Sequence, residues 1–103
     1  MIGSEKAVSA YFVAQIRIED ETEYQKYLDR CGDVFKKYKG KYLVVENQPI
    51  ILEGEWNYSR MIIIEFENED YLRDWYESDE YQEIMKFRLN ASKCDTVIVK
   101  GLE

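Results

Sequence analysis

The chain has 103 residues, 46% of them hydrophobic and 15% aromatic, with a formal charge of −7 and only 1 Pro and 5 Gly. That is room for one domain with one modest core, supplied largely by aromatic side chains, and its composition argues against disorder beyond the ends. The chain has no His, so a haem or a Ser-His or Cys-His pair would lack its imidazole, and Cys31 and Cys94 have no CxxC spacing for zinc.

Residues 1–8 are polar and small and lack the apolar run of a signal peptide, and no stretch reaches the length of a membrane span. A soluble, cytoplasmic chain is expected, with a flexible segment over residues 1–9 and a single domain over 10–103. Ala10–Ile18 (AYFVAQIRI) reads as a strand rich in β-branched and aromatic residues. Asp20 offers an N-cap and Glu23 stands three residues on, as in a capping box. The helix that follows carries Tyr24, Tyr27, Leu28, Cys31, Val34, Phe35 and Tyr38 three or four apart, one continuous apolar face, and Gly40 is expected to end it as the C′ residue. Lys36, Lys37, Lys39 and Lys41 gather around this helix end. Lysines there complement the helix dipole, and on so acidic a chain they do not argue for nucleic acid.

Lys41–Glu46 (KYLVVE) reads as the second strand, interrupted at Asn47, Gln48 and Pro49. Proline cannot donate to a ladder, so an edge strand is expected, with a bend or bulge before it resumes over residues 50–53. Residues 54–59 form a turn and Arg60–Phe66 (RMIIIEF) the third strand. Asn68 caps a helix bearing Tyr71, Leu72, Trp75 and Tyr76. Ser78 and Asp79 offer a fresh N-cap, so the helix is expected to break and restart through Tyr81, Ile84, Met85 and Leu89. Residues 96–100 form the last strand. The order β-α-β-β-α-β predicts an α+β, ferredoxin-like domain, a four-stranded antiparallel sheet with helices on one face.

Strand alternation gives that sheet two apolar faces. In the third strand Ile62, Ile64 and Phe66 point one way and Met61, Ile63 and Glu65 the other; in the first, Phe12, Ala14, Ile16 and Ile18 form one face and Tyr11, Val13, Gln15 and Arg17 the opposite one. Helices cover one face only, so burial of the second calls for another copy packed sheet to sheet about a two-fold axis: a homodimer.

Arg88 carries the most chemical information. It lies at the helical spacing of Tyr81, Ile84 and Met85, beside the apolar stripe, where a guanidinium needs a carboxylate, backbone carbonyls or an anionic ligand. Glu53 and Glu65, set within apolar strand sequence, are its internal candidates; each is also a general base if burial raises its pKa, or an ion-pair mate for Arg17 or Arg60. Tyr38 and Tyr81 add hydroxyls near helix ends. Ser78 reads as an N-cap rather than a nucleophile, because no base is spaced to activate it. Cys31 and Cys94 read as inert core or near-core thiols.

The segments YFVAQIRIEDETEYQKYL, YKGKYLV, ILEGEW, RMIIIEF, WYESDEYQ and TVIVKG occur in that order. Together they resemble domain-of-unknown-function family thirteen-thirty, of the dimeric α+β barrel superfamily, over about residues 11–101. The most specific parts are Leu52-Glu53-Gly54, Ile64-Glu65-Phe66, and the helix break at Trp75, Tyr76, Ser78 and Tyr81. The family commonly carries Gly-Gly-Arg where this chain has Lys39-Gly40-Lys41, which keeps the charge and loses the guanidinium fork. The resemblance implies a dimeric barrel and no assigned reaction. The superfamily's quinone-forming monooxygenases, haem-degrading enzymes, lactone isomerases and dehydratases in several cases rely on a His that this chain lacks.

Two functions are open at this point. One is a cofactor-independent enzyme or binding protein for a small polar or anionic metabolite, its pocket lined by Arg88, Lys41, Glu53, Tyr38 and Tyr81, with Ser78 and Glu65 as further candidates and no metal. The other is a non-catalytic dimeric module in which Arg88 and the glutamates only hold the core and the subunits together.

Overall fold

In a computed structural model of the protein, residues 8–102 are described. Most of the expected flexible segment, residues 1–7, lies outside them. Seven elements follow in chain order: β1 (Ala10–Ile18), α1 (Glu21–Lys37), β2 (Lys41–Glu46), β3 (Arg60–Phe66), α2 (Glu69–Glu77), α3 (Asp79–Ala91) and β4 (Ser92–Lys100). The strands form one sheet in the order β2-β3-β1-β4, all neighbours antiparallel. This is the ferredoxin-like α+β arrangement, with the second helix divided in two.

The helix ends follow their local chemistry. Asp20 accepts from the Glu23 amide at 3.0 Å, while the Glu23 side chain turns to Lys26 rather than completing the capping box. Asn68 accepts from the Tyr71 amide and Ser78 from the Tyr81 amide, at 3.0 and 3.1 Å. The Ser78 hydroxyl also donates to the Trp75 carbonyl at 2.8 Å, so one side chain ends α2 and starts α3. At the end of α1, Lys39 rather than Gly40 takes the positive φ, 61°. Gly40 is needed for a different reason: a Cβ there would stand 2.5 Å from the Phe35 ring and 2.9 Å from that of Phe66.

Two strand expectations are corrected. β2 does not resume over residues 50–53; residues 47–59 are a long irregular connection in which Ile50 and Leu52 are almost fully exposed. The irregularity of β2 lies earlier, where the register against β3 slips between Tyr42 and Val44 and leaves Leu43 as the extra residue. β4 begins at Ser92, four residues before the expected start, because β1 pairs with it along its whole length from Ala10–Lys100 to Ile18–Ser92.

Alternation sorts the sheet as its sequence implies. Ala10, Phe12, Ala14, Ile16, Ile62, Ile64 and Phe66 are buried under the helices with Tyr24, Tyr27, Val34, Phe35, Leu72, Trp75, Tyr81 and Ile84. Trp75 sits at the centre, its ring 4.2 Å from Tyr81, 5.1 Å from Phe12 and 5.3 Å from Phe66. Among the described residues no helix or strand covers the opposite face. Its middle row, read across the register, is Val97, Val13, Ile63 and Val44. A polar row lies on either side: Val99, Tyr11, Glu65 and Lys41 towards one end, Asp95, Gln15, Met61 and Glu46 towards the other.

Candidate functional site

A residue at the start of β3 shares the helix-facing side with Ile62 and Ile64, and that residue is Arg60. A residue seven after Tyr81 on α3 points the same way as Tyr81, and that residue is Arg88. Both arginines therefore enter the space between the sheet and α1. They line one narrow cleft there with Tyr24, Tyr27, Leu28 and Cys31 of α1, Tyr42 of β2, and Ala14, Ile16, Ile62 and Ile64 of the sheet floor. Its free space is about 20 Å³, a little more than a single water occupies.

The cations are stacked on tyrosines. The Arg60 guanidinium lies 5.8 Å from the centre of the Tyr24 ring and that of Arg88 5.9 Å from Tyr27, and the two rings are 5.7 Å apart. Cation–π contact partly replaces water around each charge. Hydrogen bonding is incomplete. Arg60 Nη1 donates to Asn47 Oδ1 at 2.8 Å, but the Nε atoms of Arg60 and Arg88 are both buried without a partner. No carboxylate lines the cleft, and among the described residues neither arginine is in a salt bridge. Arg88 is only 2% exposed, and a buried charge without a counter-ion costs several kcal/mol even after relaxation. Its own pKa moves up. Burial, the largest influence, works against the charge, and the nearby Tyr81, Tyr27 and Cys94 together outweigh it.

The surrounding hydroxyls are neutral donors and acceptors at ordinary pH. Tyr27 and Tyr81 share a 2.7 Å hydrogen bond in the core, and burial raises both pKa values. Burial pushes Tyr24 up to about 12, opposed by the nearby Arg60. Tyr42 is 42% exposed, yet its hydroxyl lies 3.6 Å from Cys31 Sγ and its pKa also rises with burial. The Cys31 thiol is raised by burial as well. The site thus holds two fixed positive charges and no group disposed to act as a base at neutral pH.

Of the residues singled out from sequence, Arg88 lines this cleft and Tyr81 supports it from behind through Tyr27. The others lie elsewhere. Glu65 and Lys41 are cross-strand neighbours on the open sheet face, where Tyr11 donates to Glu65 at 3.2 Å. Glu53 is exposed in the connection between β2 and β3, against Pro49, Ile50 and Trp56. Tyr38 and Ser78 border an open surface hollow with Asp74, Glu77, Asp79 and Glu80. The residues that sequence reading passed over are Arg60, Tyr24, Tyr27 and Tyr42. One signal was available: Arg60 has the same parity as Ile62, Ile64 and Phe66, which puts a cation on the buried face.

No curated protein matches the chain. Solved structures do. RPA0582, a protein of unknown function from Rhodopseudomonas palustris, is 17% identical, with 93% of this chain and 84% of that one covered at a TM-score of 0.78. SnoaB, a cofactor-independent oxygenase from Streptomyces nogalater, is 13% identical over 94% of this chain and 96% of its own, at 0.67. A dimeric ferredoxin-like protein of unknown function from Thermobifida fusca yx is 9% identical over 93% of each chain, at 0.58. At such identities the likeness is one of fold: ferredoxin-like, of the dimeric α+β barrel kind. The family described as Domain of unknown function (DUF1330) matches residues 9–102, nearly the full length, and this chain belongs to it.

Proposed function

We propose that this protein is a homodimer that binds a small anionic metabolite in the Arg60–Arg88 cleft, using arginine and tyrosine side chains alone. The observation that carries the reading is the pair of guanidinium groups facing one aromatic cleft with buried, unpartnered Nε atoms and no carboxylate between them. Buried cations are retained where an anion completes them. The two unpaired thiols, Cys31 and Cys94, suit the reducing cytoplasm expected for the chain. Among the described residues no helix is long and apolar enough to cross a membrane. Dimerisation is supported by the uncovered sheet face and its apolar middle row, and by the likeness to a protein named as dimeric and ferredoxin-like. SnoaB, which is named a cofactor-independent oxygenase, is a reason to include oxidisable phenols among the compounds tried.

The test is a thermal-shift screen of the wild type and of Arg88→Ala against small carboxylates and phenolic or quinone metabolites. Stabilisation of the wild type that is lost in the variant supports an arginine-dependent site; hits that persist unchanged overturn it. The burial of Arg88 favours a second reading, in which it only ties α3 to α1 through Tyr27. That reading expects the substitution to lower the melting temperature while no compound stabilises either protein.

A further inference from the structure

We infer that the cleft is a halide site, holding one monatomic anion, chloride, against Arg60 and Arg88. This rests on the anion-binding reading above and sets the size of the anion that the cleft admits as it stands.

The size follows from the space. About 20 Å³ is free, room for one particle of the size of a water, and a chloride ion is close to that size. A carboxylate brings two oxygens and a carbon, and a phosphate four oxygens in a tetrahedron. The floor does not yield to them readily, since Ala14, Ile16, Ile62 and Ile64 are buried and held in the sheet, and forcing extra atoms into a packed site strains it. A larger anion reaches the arginines only by displacing side chains at the outer edge of the cleft, at a cost in affinity.

The charge follows from the lining. A water fits the same space, but it leaves two guanidinium charges on one cleft with no counter-ion, whereas a halide offsets them. The donors are in place: the Nε atoms of Arg60 and Arg88 are buried without a partner, and the Tyr42 hydroxyl and Cys31 thiol add weaker ones. No group of the protein competes for the position, because the lining holds no carboxylate and burial keeps its tyrosines and its thiol neutral. The way in is at Arg60. That residue is half-buried, its Nη1 donates to the exposed Asn47 at 2.8 Å, and Tyr42, which shares the lining, is 42% exposed, so this end of the cleft meets solvent.

The experiment reads the line width of the chloride NMR signal, which bound chloride broadens, in methanesulfonate buffer with the full chain as wild type, Arg60→Gln and Arg88→Gln. The wild type is expected to broaden the signal, and bromide to reverse the broadening at concentrations similar to those of chloride itself. Formate and inorganic phosphate are expected to need at least about tenfold more, the scale of overpacking a filled space. Arg60→Gln should weaken chloride binding by roughly tenfold, the scale of a lost charge-assisted pair. Formate or phosphate displacing chloride as readily as bromide does overturns the halide and leaves an anion site in place. So does a signal left sharp by a wild type whose melting temperature formate or phosphate raises. A sharp signal with no anion raising the melting temperature, or broadening unaltered in every folded variant, overturns both the inference and the reading beneath it. Arg60 is half-buried at the start of β3, so Arg60→Gln decides the matter should Arg88→Gln not fold.

Discussion

Tyr27 is 8% exposed and Tyr81 fully buried, and their hydroxyls satisfy each other at 2.7 Å. Tyr27→Phe takes from the buried Tyr81 hydroxyl its 2.7 Å partner, and should lower unfolding free energy in urea by about 1–3 kcal/mol. The double variant with Tyr81→Phe removes both polar atoms and should recover much of that loss. A double-mutant cycle showing simple additivity would overturn the coupling. The same burial has a consequence at high pH. Burial pushes Tyr24 up from the ordinary 10.0 to about 12, so the folded state holds its proton more tightly than the unfolded chain. The stability contributed is therefore fully present below pH 10 and is lost as pH rises from there through about 12. Tyrosinate absorbance should show part of the tyrosine set ionising only as the protein unfolds.

At the level of elements, Ser78 is a hinge between two helices, accepting from the Tyr81 amide and donating to the Trp75 carbonyl. Ser78→Ala should cost about 0.5–2 kcal/mol through the lost cap, read as a lower urea midpoint with the far-ultraviolet helix signal retained at rest. Caps of this kind are local, which is why Asp20, Asn68 and Ser78 were legible from their spacing to the apolar runs. The segment after β2 was not. Residues 50–53 are apolar enough to read as strand, but a strand needs a neighbour to pair with, and β3 is already paired with Lys41–Glu46 on that side. The early start of β4 has the same origin: Ser92, Lys93 and Asp95 have weak strand preference alone and are held by the length of β1.

For the whole molecule, the proposed homodimer rests on the sheet face that no described helix or strand covers. Val13 lies at the centre of its apolar row, between Val97 and Ile63. Val13→Lys introduces a cation into that row while leaving the helix side untouched. Light scattering at micromolar concentration should move from twice 12.4 kDa for the wild type to 12.4 kDa for the variant, with the circular dichroism of a folded chain. A wild type that is already monomeric would remove the dimer from the proposal.

The sequence by itself determined the order of the elements, the helix caps, the two-faced sheet and the presence of a cation on the stripe of α3, because each rests on periodicity or on contacts within a few residues. It also ruled out any site built on imidazole. Only the tertiary structure decided what surrounds that cation. Arg60, Tyr24, Tyr27 and Tyr42 come from three elements between 24 and 60 in the chain and meet Arg88 through the β2-β3-β1-β4 order and the packing of α1 on α3. The glutamates expected beside Arg88 belong instead to the open sheet face and to an exposed connection, since strand parity turns Glu65 away from the helices and no strand forms at Glu53. A charge's partner depends on which surfaces the fold brings together, and spacing along one strand or helix carries no record of that.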